Sequence, residues 1–146
     1  MTIRVKLDLD SLIYEQTFEN ICQVRCKGLQ QSQDQWIFIV PMGKAGKAIG
    51  SGAQNIKKLQ QSLGQKNKSL QDIKIKIIEF HPNVKIFIKN LISPLQVESI
   101  EVDGNTVKIA DSSKKTKSLL IGPGASKLRQ LNSLLERFFH KKLEIQ

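Results

Sequence analysis

Only two cysteines, Cys22 and Cys26, occur in 146 residues. Their spacing is not the redox Cys-x-x-Cys pattern, and two thiols alone cannot fill a structural zinc site. Free, buried or partly buried thiols are expected, as in a reducing compartment. Aromatic residues make up 5% of the chain. Trp36, Phe38, Phe80, Phe87, Phe138 and Phe139 mostly fall in apolar stripes, which places them in a core rather than on a base-stacking platform. No apolar run approaches the ~20 residues of a membrane span, so no membrane partner is expected. The opening residues, Met1 to Lys6, lack the apolar region of a signal peptide, and a cytoplasmic location is expected. His81 and His140 have no ligand or catalytic partners at useful spacing. No nucleophile–base set, metal-ligand cluster or Walker-type loop is present, so neither an enzyme, a metal site nor a cofactor is expected.

Acidic residues are also missing where basic ones gather. The net charge is +10. Between Lys44 and Lys76 stand eight lysines and one acid, Asp72; between Lys114 and Lys142 stand eight basic residues and one acid, Glu136. Each stretch carries +7 and the remainder of the chain −4. Lysine-rich helices are often no more than solvated surface, but acid depletion confined to two stretches is the electrostatic footprint of a nucleic-acid partner.

Each basic stretch surrounds a glycine corner. The first is Ile49-Gly50-Ser51-Gly52-Ala53-Gln54-Asn55, with Lys44, Lys47, Lys57 and Lys58 flanking it. Glycines let the backbone turn sharply and leave no side chain between its amides and a ligand. A helix opening there, on the stripe Ile56, Leu59 and Leu63, would aim its free N–H groups and positive dipole end outward. The second corner, Gly122-Pro123-Gly124-Ala125 with Lys127 and Arg129, repeats the first at an offset of 72 residues. The same offset pairs Ile37 with Ile109, Ile56 with Leu128, Leu59 with Leu131 and Leu63 with Leu135. Repetition on this scale predicts two copies of one small domain.

The remaining pattern fills in both copies. Ile3 to Leu9 alternates as a strand. A helix capped at Asp10 or Ser11 is expected to bury Leu12, Ile13, Phe18 and Ile21. Val24 to Leu29 is expected as a short strand, and Trp36–Val40 is a strand ended by Pro41. A short helix from Lys44 leads into the first corner, and the helix after it runs from Ala53 to a stop at Gly64. Ile73, Ile75 and Ile77 set the last strand, ending near Phe80. His81-Pro82-Asn83 marks the boundary between domains 1–80 and 81–146, with Asn83 capping a helix that ends at Ser93-Pro94. A hairpin over 97–109 turning at Asp103-Gly104, a helix into the second corner, a helix over 125–139 and a strand over 142–145 follow.

The order helix, two strands, helix, glycine corner, helix, strand resembles the type II KH domain, with each corner where the GxxG loop belongs. That loop clamps the RNA backbone while a neighbouring groove reads bases. Two such domains in tandem resemble the archaeal NusA-type transcription factors. The resemblance rests on Phe18-Glu19-Asn20-Ile21, Ile37-Phe38-Ile39-Val40, Lys47-Ala48-Ile49-Gly50, Gln54-Asn55-Ile56-Lys57, Glu79-Phe80, Phe87-Ile88-Lys89-Asn90, Ser93-Pro94 and Val97. It implies an α+β protein of two tandem type II KH domains, each a three-stranded sheet packed with helices on one face. It also implies a monomer that binds single-stranded nascent RNA, touches RNA polymerase and acts in elongation or termination. Lys44, Lys47, Ile49, Gly50, Ser51, Gly52, Ala53, Gln54, Asn55, Lys57, Lys58, Gly122, Pro123, Gly124, Ala125, Lys127 and Arg129 are then the nucleic-acid-binding candidates. An aliphatic groove beside Ile49 and Ile56, with Gln54 and Asn55, would meet the bases.

Both loops depart from Gly-x-x-Gly by ending in alanine. If Ala53 opens its helix in the right-handed region it is tolerated; if the position needs positive φ, strain of ~1–2 kcal/mol follows. Pro123 removes an N–H donor, so the first corner is expected to bind more strongly than the second. Two rival readings stand beside this one. The first is a ribosome-associated or ribosomal-RNA-maturation KH protein. The second is a KH scaffold with degenerate loops that docks polymerase without reading RNA.

Overall fold

The computed structural model describes residues 9–32 and 35–146. The strand expected over Ile3 to Leu9 lies outside the described residues except for Leu9, which opens a helix instead. The chain separates into two units, Met1–Phe80 and His81–Gln146.

In the first unit, α1 (Leu9–Cys22) precedes β1 (Gly28–Gln30) and β2 (Gln35–Val40). Helix α2 (Ala45–Ile49), a 3-10 turn over Ser51–Ala53, α3 (Gln54–Lys66) and β3 (Lys74–Glu79) complete it. Strand β2 lies between the other two, antiparallel to β1 and parallel to β3. The parallel pair requires a crossover, and α2 and α3 supply it.

Residues alternate between sheet faces. Trp36, Phe38, Val40 and Ile77 share a core with Phe18 and Cys22 of α1, Ala48 of α2, and Leu59 and Leu63 of α3. Ile37, Ile39 and Ile78 belong to the opposite sheet face and are buried as well. That is why β2 reads as an unbroken apolar run rather than an alternating one. Phe18 stacks on Phe38 with ring centroids 4.5 Å apart. Removing a ring at such a site costs about 3–5 kcal/mol.

Helix α1 opens at Leu9, so Asp10 and Ser11 lie inside it rather than capping it, and the strand expected over 24–29 covers only Gly28–Gln30. Two further expectations in this unit need correction. Leu12 and Ile13 are exposed, each at 48%. The buried side of α1 runs instead through Phe18 and Cys22, with Tyr14 and Ile21 packed beside them. Positions 14, 18, 21 and 22 repeat at helical spacing, and Leu12 and Ile13 fall off that stripe. The second concerns Gly64, which does not stop α3. The helix continues to Lys66. A Cβ at Gly64 would lie 3.1 Å from the Gln71 backbone, so this glycine lets the following turn approach the helix.

The second unit repeats the order. Helix α4 (Val84–Ile92) is capped by Asn83, whose side chain accepts from the Lys85 N–H. Strands β4 (Ser99–Asp103) and β5 (Thr106–Ala110), α5 (Lys114–Ile121), a 3-10 turn over Pro123–Ala125, α6 (Ser126–Phe139) and β6 (Lys142–Ile145) follow. Strand β5 is central, antiparallel to β4 and parallel to β6. The hairpin turns one residue later than expected: Asp103 pairs with Thr106, and Gly104-Asn105 forms the loop with Gly104 at φ 60°. Phe87 of α4 meets Phe138 and Phe139 of α6 at 5.7 and 5.4 Å. Leu134 is fully buried on α6 beside the expected Leu131 and Leu135.

Candidate nucleic-acid interface

The first corner is built by the end of α2, the start of α3 and the turn between them. Helix α2 is fixed on its sheet by the Ala45 N–H, which donates to the Glu79 carboxylate of β3 at 3.0 Å. The helix ends when Gly50 turns to φ 79°, ψ 169°, its N–H still donating to the Gly46 carbonyl. Gly52 and Ala53 then both adopt the left-handed conformation, at φ 60° and φ 59°. The Ala53 N–H closes the turn on the Gly50 carbonyl at 3.2 Å.

The second corner has the same backbone. Gly122 stands at φ 73°, ψ 172°, and Gly124 and Ala125 at φ 60° and φ 63°. The Ala125 N–H donates to the Gly122 carbonyl at 3.1 Å. At both corners the alanine caps the next helix from the left-handed region, and that conformation strains any residue with a Cβ.

The four glycines divide into two kinds. A Cβ on Gly50 would come within 3.0 Å of the Asn55 side chain, and one on Gly122 within 2.9 Å of Lys127 Cγ. These two are required by packing as well as by φ. Gly52 and Gly124 have nothing within 4 Å of a Cβ position, so the space beside each loop tip is open. An incoming group can therefore approach the backbone there directly.

Lys44, Lys47, Lys57 and Lys58 are all exposed around the first corner. Ser51, Gly52 and Gln54 are exposed too, and Ile49 and Ile56 are half-buried against the core. Asn55 plays a part its sequence position did not announce. Its side-chain amide donates to the Lys47 carbonyl at 3.3 Å, bridging the end of α2 and the start of α3.

At the second corner Pro123, Gly124, Lys127 and Arg129 are exposed, and Ala125 is half-buried. Arg129 Nη1 donates to the Gly124 carbonyl at 2.6 Å. Exposed Met42 before α2 and exposed Leu119 on α5 also lie close in sequence to the corners. Neither belonged to an apolar stripe that would have marked it.

The histidines have local roles. His81 Nδ1 accepts from the Asn83 N–H at 2.9 Å, and exposed His140 ends α6 in the left-handed conformation. Cys22 and Cys26 are buried thiols that are not joined in a disulfide. Among the described residues, no group of three or more His, Cys, Asp or Glu could hold a metal ion. No helix of the described residues is long and apolar enough to cross a membrane.

Two α+β units of this order, each with a mixed three-stranded sheet and a glycine corner between its second and third helices, are type II KH domains in tandem. No family model matches the chain. It is similar, however, to archaeal proteins named probable transcription termination protein NusA. The relative from Halobacterium salinarum is 26% identical over 141 residues, covering 95% of this chain and 94% of the relative. The one from Methanocaldococcus jannaschii is 25% identical over 143 residues, covering 96% and 73%. The one from Methanococcus vannielii is 28% identical over 100 residues, covering 68% of this chain and about half, 53%, of that relative. Among solved structures, the crystal structure of APE1850 matches with a TM-score of 0.72 and 26% identity, covering 96% of this chain and all of that one. The resemblance to archaeal NusA-type proteins thus extends over nearly the whole chain.

Proposed function

We propose that this protein is an RNA-binding transcription factor of the archaeal NusA type that holds single-stranded nascent RNA at its KH corners and modulates elongation or termination. The observation that carries the reading is the first corner itself. An open loop tip at Gly52, a following helix of 13 residues and four exposed lysines converge on one short stretch. A phosphate resting there would meet loop amides, the positive end of the α3 dipole and flexible ammonium groups. The half-buried Ile49 and Ile56 offer an apolar surface to a neighbouring base. The relatives named as probable transcription termination proteins support a place in transcription, and the reading adds a cytoplasmic location and contact with RNA polymerase.

The chemistry is binding without bond breaking. Backbone and lysine contacts fix the phosphate path and carry no sequence information, whereas base edges and faces carry the preference.

The test is fluorescence anisotropy of short single-stranded RNAs with the unmodified chain, Gly52→Asp and Gly124→Asp, with folding checked by circular dichroism. Aspartate tolerates the left-handed region better than most residues, so both variants place a carboxylate at the loop tip with less backbone strain than other side chains would cause. Gly52→Asp is expected to weaken binding more than Gly124→Asp. Unchanged affinity in the first variant with loss in the second would overturn the order of the sites. Absence of RNA binding by the unmodified chain at low salt would favour a protein-docking scaffold, a reading to which the Pro123 loop lends itself.

A further inference from the structure

We propose that Glu79 is a positioning residue for the first corner: from the end of β3 its carboxylate holds α2 in the orientation RNA meets, without touching RNA itself. The inference rests on the RNA-binding reading above and deepens it.

Helix α2 has little of its own to hold it. It is five residues long, far below the roughly 12–15 at which an isolated helix is even marginal in water. Ala48, its one buried residue, contributes only a methyl group to the core. Lys44 stands at its N-cap without a side-chain cap bond, and its first turn carries no acid. The N–H groups of that turn therefore lack the usual local acceptor.

An acceptor comes from 34 residues further along the chain. Glu79 Oε2 receives the Ala45 N–H at 3.0 Å in half-buried surroundings. A hydrogen bond to an ionised group is about twice as strong as a neutral one, and a carboxylate near a helix N-terminus gains from the dipole as well. Strand β3 is a firm base for it, paired with β2 from Lys74 through Glu79. At the other end of α2, the Asn55 amide holds the Lys47 carbonyl at 3.3 Å. Side chains from outside the helix thus fix it at both ends. Lys44, Lys47 and Ile49 are carried on α2, so its orientation sets where they stand.

The second unit solves the same problem locally, which singles out Glu79. The Phe80 N–H donates to the Val40 carbonyl, and the Gln146 N–H donates to the Ile109 carbonyl in the same way. Ile145 therefore stands where Glu79 does, and isoleucine offers no acceptor. Helix α5 has eight residues, buries Leu120 and is capped by the Ser113 hydroxyl, which accepts from the Thr116 N–H at 3.2 Å. The long-range carboxylate occurs where the helix is short and has no cap of its own.

Charge and positioning predict opposite signs. A carboxylate acting only through its charge would repel phosphates, and its removal would tighten RNA binding. A carboxylate that positions α2 would, once removed, leave that helix to be ordered at the moment of binding, and affinity would fall.

The experiment combines amide hydrogen exchange of the free protein with anisotropy titrations of a labelled mixed-sequence single-stranded RNA pool. The chains compared are the unmodified protein, Glu79→Ala, Glu79→Gln, Gly52→Asp and the double variant of Glu79→Ala with Gly52→Asp. Glu79→Ala should speed exchange of the Ala48 and Gly50 N–H groups about tenfold, while the Gly122 N–H at the end of α5 keeps its protection. It should weaken RNA binding about three- to tenfold. Glu79→Gln keeps an acceptor oxygen at the same reach and should recover most of that affinity. In the Gly52→Asp background the alanine substitution should change affinity by less than about twofold, because the corner it serves is already blocked.

If Glu79→Ala binds RNA as tightly as the unmodified chain, or more tightly, Glu79 is only a charge; the assignment fails and the RNA-binding reading stands. Unchanged exchange at α2 would overturn the assignment as well. Faster exchange in both units, or an equal loss of affinity in the Gly52→Asp background, would show a general structural role and overturn it too. If the unmodified chain binds no RNA, the reading fails and the assignment falls with it.

Discussion

Ala53 and Ala125 occupy the same left-handed backbone conformation, φ 59° and φ 63°, at equivalent places in two copies of one domain. An L-residue with a Cβ is strained there by about 1–2 kcal/mol, and glycine is not. Glycine also gives the unfolded chain more freedom, which offsets about 0.4–1 kcal/mol of the gain. Ala53→Gly and Ala125→Gly should each therefore stabilise the protein modestly, by about 0.5 kcal/mol. Urea unfolding checks this, and a lower midpoint in both variants would show that neither alanine is strained.

Gly50 and Gly122 should behave in the opposite way. Alanine at either site would take a positive φ and also press against Asn55 or against Lys127, whose backbone N lies 3.1 Å from the Cβ position on Gly122. Gly50→Ala and Gly122→Ala should each destabilise by about 2 kcal/mol or more. Gly122→Ala is expected to be the worse of the two, because a backbone nitrogen yields less readily than the Asn55 side chain. Paired thermal melts would decide the order.

The repeat made much of this architecture legible. Gly50 and Gly122 sit in sequence settings so alike that one offset located both corners, both following helices and the central strands. The strand Trp36–Val40 was equally plain, since five consecutive apolar residues bounded by Pro41 fit a strand buried on both faces. What stayed hidden depended on tertiary neighbours. Leu12 and Ile13 look as apolar as Phe18, and only packing reveals which side of α1 is covered. Gly64 reads as a helix stop until Gln71 is seen against it. The conformation of Ala53 had two possible values in the sequence, and the turn geometry selects the strained one. The Asn55 bridge and the Arg129 bond could not be read at all, because each depends on where a carbonyl points.

Burial pushes the Cys22 thiol up from its ordinary 9.0 to about 11. Below pH 9 the thiol is neutral in both folded and unfolded chains, and the stabilising difference is fully present. Between pH 9 and about 11 the unfolded chain ionises while the folded chain does not, so stability falls as pH rises through this window. Cys22→Ala would remove this dependence at the expense of a small cavity. Unfolding midpoints measured from pH 8 to pH 11 should fall more steeply for the unmodified chain than for the variant. Equal slopes would mean that Cys22 ionises freely in the folded state.

The first corner makes a prediction that depends on position along a single helix. Lys57 and Lys58 lie in the first turns of α3, whereas Lys66 is its last residue, roughly 12–14 Å away along the axis. All three are exposed and carry the same charge. A general attraction between a basic protein and a polyanion would respond similarly to the loss of any one of them. A phosphate seated at the corner would not, because screening over that distance is strong at physiological ionic strength. Lys57→Gln and Lys58→Gln should each reduce the slope of log affinity against log salt by about 0.7, and Lys66→Gln should leave it almost unchanged. Equal losses from all three variants would move the RNA off the corner and onto the length of the helix.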